Sequence, residues 1–221
     1  MHDWSPRERF AERDRDRGTR VVVAALHGRP AQPAAFAGHP SSAEMAMLAR
    51  RPPSSALGVP FTAAAVCSGP VTEHLDVAAL VTTDANRWSV SGEPTLYVAG
   101  DVGVALAEVG RHWKPESGPI CLWDVRLELA AAVDLRSPDV RSAAGVPDEP
   151  HWFLDRGHCQ ALASRVRQGA VDGLIVPSVA FLDDFQRWNA VVFADQAARL
   201  AQQVRASRPI ASLDQASTTE R

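Results

Sequence analysis

The sequence predicts an α+β domain, with small mixed or antiparallel β-sheets flanked by helices. Three observations point there. Short β-branched or alternating runs ("TLYVA", "CLWDVRLEL", "LIVPS", "NAVVFAD") outnumber the helical stretches. They do not alternate strictly with helices, as the strands of a parallel α/β sheet would. At 221 residues with 46% hydrophobic and 22% charged side chains, the chain has enough apolar material for one well-buried domain.

Taken in order, residues 1–20 mix acidic and basic side chains without apolar periodicity and read as a solvated arm. "RVVVAAL" (20–26) has strand composition, and 28–60 is rich in Pro, Gly, Ala and Ser around a short helix at 43–50. "TLYVA" (95–99) predicts a strand. Asp101 then suits an N-cap for a helix to about Trp113, its apolar face set by Val102, Ala105, Leu106 and Val109. "CLWDVRLEL" (121–129) alternates as a half-buried strand. A helix fits 158–168, closed by Gly169, followed by a turn at Asp172-Gly173 and two strands around a loop. A helix at about 195–206 and a polar tail finish the chain. These elements divide it into an extension (1–58), a core domain (59–206) and a tail (207–221).

Composition narrows the function. A formal net charge of -3 gives no basic field for nucleic acid or anionic membranes. No apolar run reaches the roughly 20 residues of a membrane span, and the charged N-terminal stretch lacks the apolar segment of a secretory signal, so a cytoplasmic location is expected. Three scattered cysteines, Cys67, Cys121 and Cys159, suit reduced thiols better than a disulfide framework. There is no Walker A loop, no G-x-G-x-x-G, no H-E-x-x-H, no C-x-x-C and no G-x-S-x-G. The seven histidines are dispersed, so no metal site is expected.

What remains is a set of short strings in order: "RW" at Arg87-Trp88, "PTLYVA", "ALAEV", "DGLIVPS" and "NAVVF". Together they resemble the RES family, over roughly residues 59–195, with Asn86 standing where a Gly is more usual. The resemblance implies an ADP-ribosyltransferase-like fold and cleavage of the nicotinamide–ribose N-glycosidic bond of NAD, by phosphorolysis or hydrolysis. NAD would be the substrate, phosphate a co-substrate, and no resident cofactor is called for. It implies catalytic roles for Glu108, Arg87, Tyr97 and Ser178, with Asn189 and Trp88 joining the substrate-binding set. It further implies the toxin of a bacterial toxin–antitoxin pair, with an Xre-type helix-turn-helix antitoxin as partner. ADP-ribosyl transfer to a protein or small molecule, and a non-catalytic nucleotide- or partner-binding module, are the alternatives. Exposed sheet edges and the long N-terminal arm leave room for a homodimer.

The residue types suit that chemistry. Glycosidic cleavage passes through an oxocarbenium-like centre, beside which a fixed carboxylate stabilises charge. At about 100° per residue, Glu108 lies beside Asp101, Ala105 and His112, at the edge of the helix's apolar stripe. Tyr97, the chain's one tyrosine, offers a flat ring for stacking. Arg87 offers a guanidinium fork for phosphate or ribose oxygens, and Ser178 and Asn189 offer hydrogen bonds. Each also has an ordinary reading: a solvated helix glutamate, a core aromatic, a surface ion pair, turn-forming polar residues. Trp88, Trp123, Trp152 and Trp188 read first as core or pocket wall, and His112 as part of a helix C-terminus. The family commonly carries a further arginine upstream. Here "VPFTAAAVCSG" has Phe61-Thr62 and none, leaving Arg29, Arg50 and Arg51 as substitute cations.

Overall fold

The computed structural model describes residues 41–48, 61–66, 77–111, 120–169, 171–195 and 204–213, with the backbone alone for 61–66, 77, 79 and 204–213. In chain order the elements are α1 (Ser42–Leu48), β1 (Phe61–Val66), β2 (Thr95–Ala99), α2 (Val102–Gly110), β3 (Ile120–Leu127) and β4 (Ala132–Asp134). There follow α3 (Pro138–Ala143), α4 (Arg156–Gln168), β5 (Gly173–Pro177), β6 (Trp188–Phe193) and β7 (Val204–Leu213). Single 3-10 turns stand at Val77–Leu80 and Pro150–Leu154.

The strands form one seven-stranded sheet in the order β4-β5-β6-β2-β1-β3-β7. Every pairing is antiparallel except the parallel edge pair β4–β5. This is the expected α+β class. Because side chains alternate across a strand, Leu96, Val98, Trp123, Val125, Ile175, Ala190 and Val192 build a core on one face. On the other face Leu174, Val176, Val191 and Phe193 receive Cys159, Leu162, Ala163 and Val166 of α4. Helix α2 rests on that same second face, with Val104 and Ala105 against Ala99 and Val109 against Ile120 and Leu122. The two helices therefore stand side by side over the middle strands, and the sheet face between them is called the cleft. Among the described residues no helix is long and apolar enough to cross a membrane.

Asp101 caps α2 as expected, accepting a hydrogen bond from Val104 N at 2.8 Å, and Gly169 closes α4. Other expectations are corrected. Strand β3 is covered on both faces over its first half, since Ile120 and Leu122 are buried as well as Cys121 and Trp123. Asp172 and Gly173 make no turn: Gly173 opens β5, and the buried Asp172 carboxylate accepts the N–H groups of Ala130 at 2.6 Å and Ala131 at 3.0 Å. The last helix does not run to 206, because β7 begins at Val204 and takes in Ala211-Ser212-Leu213 of the expected tail. Pairing with β3 overrides local preference there. Pro209, poor in a central strand, is tolerated on this edge strand opposite Trp123, where the register shifts.

Strands β1 and β4 and helix α3 were not foreseen. The last begins with a Ser137 cap followed by Pro138, a standard start signal. The α2 helix ends at Gly110, short of Trp113. Cys159 is a buried free thiol, as expected, whereas Cys121 is disulfide-bonded. An odd count and wide spacing do not preclude a bridge, because strand pairing brings distant residues side by side. The strand expected at 20–26, His112 and the substitute cations Arg29, Arg50 and Arg51 lie outside the described residues.

Candidate active site

Three sequence-distant elements converge on one carboxylate. Glu108, near the C-terminal end of α2, accepts through Oε1 from Ser178 Oγ at 2.6 Å and from Asn189 Nδ2 at 3.0 Å. Its Oε2 faces the Arg111 guanidinium at 3.9 Å, and its side chain stays 24% exposed. One oxygen is thus clamped while the carboxylate still reaches the cleft.

Each partner is set by its strand. Ser178 directly follows β5 and is wholly buried. Its N–H donates to Arg187 O at 2.7 Å, and its Oγ also accepts from Ala180 N at 3.2 Å. That closes the 178–187 loop at its base and leaves the hydroxyl proton for Glu108. Within the loop, Phe181 packs on Ala99, Val104 and Ala105 of the α2 side, while Leu182 and Phe185 pack on the α4 side. Asn189 lies on β6, opposite Ala99. Close packing fixes the same corner: a Cβ on Gly100 would meet the Trp188 ring at 2.5 Å.

Tyr97 lies opposite Val191 in the same ladder, which makes it the diagonal, same-face neighbour of Asn189 at about 7–8 Å. Its hydroxyl shares a hydrogen bond with Ser89 Oγ at 3.1 Å, and burial, opposed by that bond, pushes its pKa up to about 12. The phenol is therefore a neutral group at physiological pH.

Arg87 sits at the tip of a tight turn closed by an Asn86–Ser89 bridge. The neighbouring Trp88 pins that turn by burying its ring, 6.3 Å from Phe153. Gln160 of α4 reinforces it, donating to Asn86 O at 2.7 Å and Ser89 O at 3.1 Å. Arg87 Nη1 donates to Phe153 O at 2.9 Å and Leu154 O at 2.7 Å.

Of the six residues singled out from the sequence, Glu108, Ser178 and Asn189 form one hydrogen-bonded group, and Tyr97 lies diagonal to it on the sheet. Arg87 stands at the α4 end, on the turn that holds Ser89, and Trp88 anchors that turn from the core. Sequence reasoning missed Ser89 and Gln160, which carry no motif, and Arg156, whose guanidinium lies near Arg87 and Tyr97.

The fold and these contacts define an α+β domain with a held carboxylate, an aromatic ring diagonal to its Asn189 donor on the sheet, and an arginine at the start of α4. The RES domain model matches residues 71–214. The chain belongs to the RES domain family. Among solved structures it resembles the M. tuberculosis MbcT–MbcA toxin–antitoxin complex, with a TM-score of 0.51 and 16% identity over 76% of this chain and 91% of that one. At that identity the likeness speaks for the fold. No curated protein matches.

Proposed function

We propose that the protein breaks the nicotinamide–ribose bond of NAD and serves as the toxin of a toxin–antitoxin pair. The observation that carries this is the Glu108 carboxylate, clamped through one oxygen by Ser178 and Asn189 and open to the cleft on which Tyr97 also borders. Membership of the RES family supports it, as does the fold shared with one member of a toxin–antitoxin complex.

In this reading the C1'–N bond breaks and its electron pair passes to the nicotinamide ring, which leaves neutral. The ribosyl carbon becomes oxocarbenium-like, and Glu108 stabilises that charge with no need to reorganise, because its position is fixed beforehand. Tyr97 stacks on the flat leaving group, and Arg87 holds a phosphate oxygen. Phosphate or water then attacks C1', giving ADP-ribose 1''-phosphate, or ADP-ribose and a proton.

The test is NAD consumption by the purified chain with and without phosphate, beside Glu108→Gln. The exchange is expected to cost about 10²–10³ in kcat, the size of losing one group that stabilises transition-state charge. Equal NAD loss by both proteins would sink the assignment of Glu108, and no loss by either would sink the activity. Expression alone is expected to lower cellular NAD and arrest growth, with rescue by an Xre-type helix-turn-helix partner that covers the cleft.

A further inference from the structure

Two segments far apart in sequence clasp one another at the α4 end of the cleft, and each does so with an arginine. Arg87, on the 86–89 turn, reaches across to the carbonyls of Phe153 and Leu154. Arg156, in the first turn of α4, reaches back to the carbonyl of Ala85 at 3.5 Å. The two guanidiniums therefore cross the same seam in opposite directions.

Like charges brought together in a partly dry place repel. Burial, and next the charge of Arg87, lower the pKa of Arg156. Among the described residues no carboxylate lies within ion-pair distance of Arg87, and its Nε is buried with no hydrogen-bond partner. The acidic residues adjoining the seam in sequence, Asp84 and Asp155, are exposed, and the Asp155 carboxylate accepts from His158 N. Carbonyls anchor one edge of the Arg87 fork, and a guanidinium has five N–H donors.

We propose that Arg156 is a specificity-determining residue that, with Arg87, grips the diphosphate of a dinucleotide substrate at this seam. The proposal rests on the NAD-cleaving reading and deepens it. The ribose carbon under attack lies at Glu108, the leaving ring at Tyr97, and the phosphates extend past Ser89 to the arginine pair. The cleft then selects substrates by their phosphates and discriminates against the bare nucleoside.

The experiment uses the full chain and three probes: NAD turnover, and calorimetric titration with ADP-ribose and with nicotinamide riboside, which has no phosphate. Arg156→Gln is expected to weaken ADP-ribose binding about tenfold or more and to lower kcat/KM for NAD mainly through KM. Nicotinamide riboside affinity should stay within about twofold, and Arg156→Lys should recover part of the loss. Unaltered ADP-ribose affinity in Arg156→Gln would overturn the role of Arg156 while leaving the activity standing. An equal loss for ADP-ribose and the riboside would also overturn it, since a seam that merely unfolds spares neither. If the unaltered chain neither binds ADP-ribose nor consumes NAD, the functional reading falls and this proposal with it.

Discussion

Both hydrogen bonds to Glu108 end on the same oxygen, so neither donor is redundant and each limits how the carboxylate turns. Hydrogen bonds to charged groups contribute about 1.5–3 kcal/mol. Ser178→Ala and Asn189→Ala are each expected to lower kcat roughly 10- to 100-fold. Because they act through one group, the double variant should lose less than the product of the two. Steady-state NAD consumption checks this, and independent, multiplicative losses would show that the two side chains do not serve a common carboxylate. Glu108, Ser178 and Asn189 could be singled out from the sequence because each sits in a short string that resembles a RES-family element. Arg156 was not, since an arginine opening a helix is among the commonest surface residues and only the seam gives it meaning.

Helix α2 carries the carboxylate and is only nine residues long, so its first turn matters more than in a long helix. Asp101→Ala removes the acceptor for Val104 N and is expected to cost about 1 kcal/mol, seen as a lower urea midpoint. In the middle of the sheet the backbones themselves are in contact. A Cβ on Gly173 would run into the Val191 carbonyl across the β5–β6 ladder, so Gly173→Ala should give little soluble protein. Asp172→Ala strands two backbone N–H groups, each costing about 1–3 kcal/mol. Strand β2 could be seen in the sequence by its composition, and β3 by an alternation that the structure keeps only in its second half. Strand β7 could not, because its claim to be a strand comes from the open edge of β3 and not from its own residues. Asp172 and Gly173 looked like a turn for a similar reason: the pair has turn chemistry, and only the Ala130–Ala131 backbone shows what the carboxylate is for.

For the molecule as a whole, the α+β class could be inferred from the count and spacing of strands, but the order of the sheet could not, since it depends on pairings across long stretches of chain. Two buried acids tie this fold to pH. Burial chiefly pushes the Cys159 thiol from 9.0 up to about 12, and the Tyr97 hydroxyl from 10.0 up to about 12. The folded state keeps protons that the unfolded chain gives up, so these groups leave stability intact below about pH 9. Stability then falls as pH rises, first against the unfolded thiol and above pH 10 against the unfolded phenol as well, by up to about 1.4 kcal/mol per pH unit for each group. The loss is complete once pH passes the folded values near 12. Urea unfolding between pH 8 and 11 tests the slope, and Cys159→Ala should flatten the part between roughly 9 and 10. Slopes that match in the two proteins would remove the thiol from the account.

The distance along the chain between Glu108 and its two donors has a consequence in time. Glu108 is made first, Ser178 comes 70 residues later and Asn189 81 residues later. At about 5–20 residues per second of synthesis, the carboxylate leaves the ribosome roughly 4–16 s before its clamp exists. A chain cut short before Asn189 is therefore expected to be harmless. In a toxin, that interval would be a built-in delay between translation and danger, during which a protective partner can already be at hand.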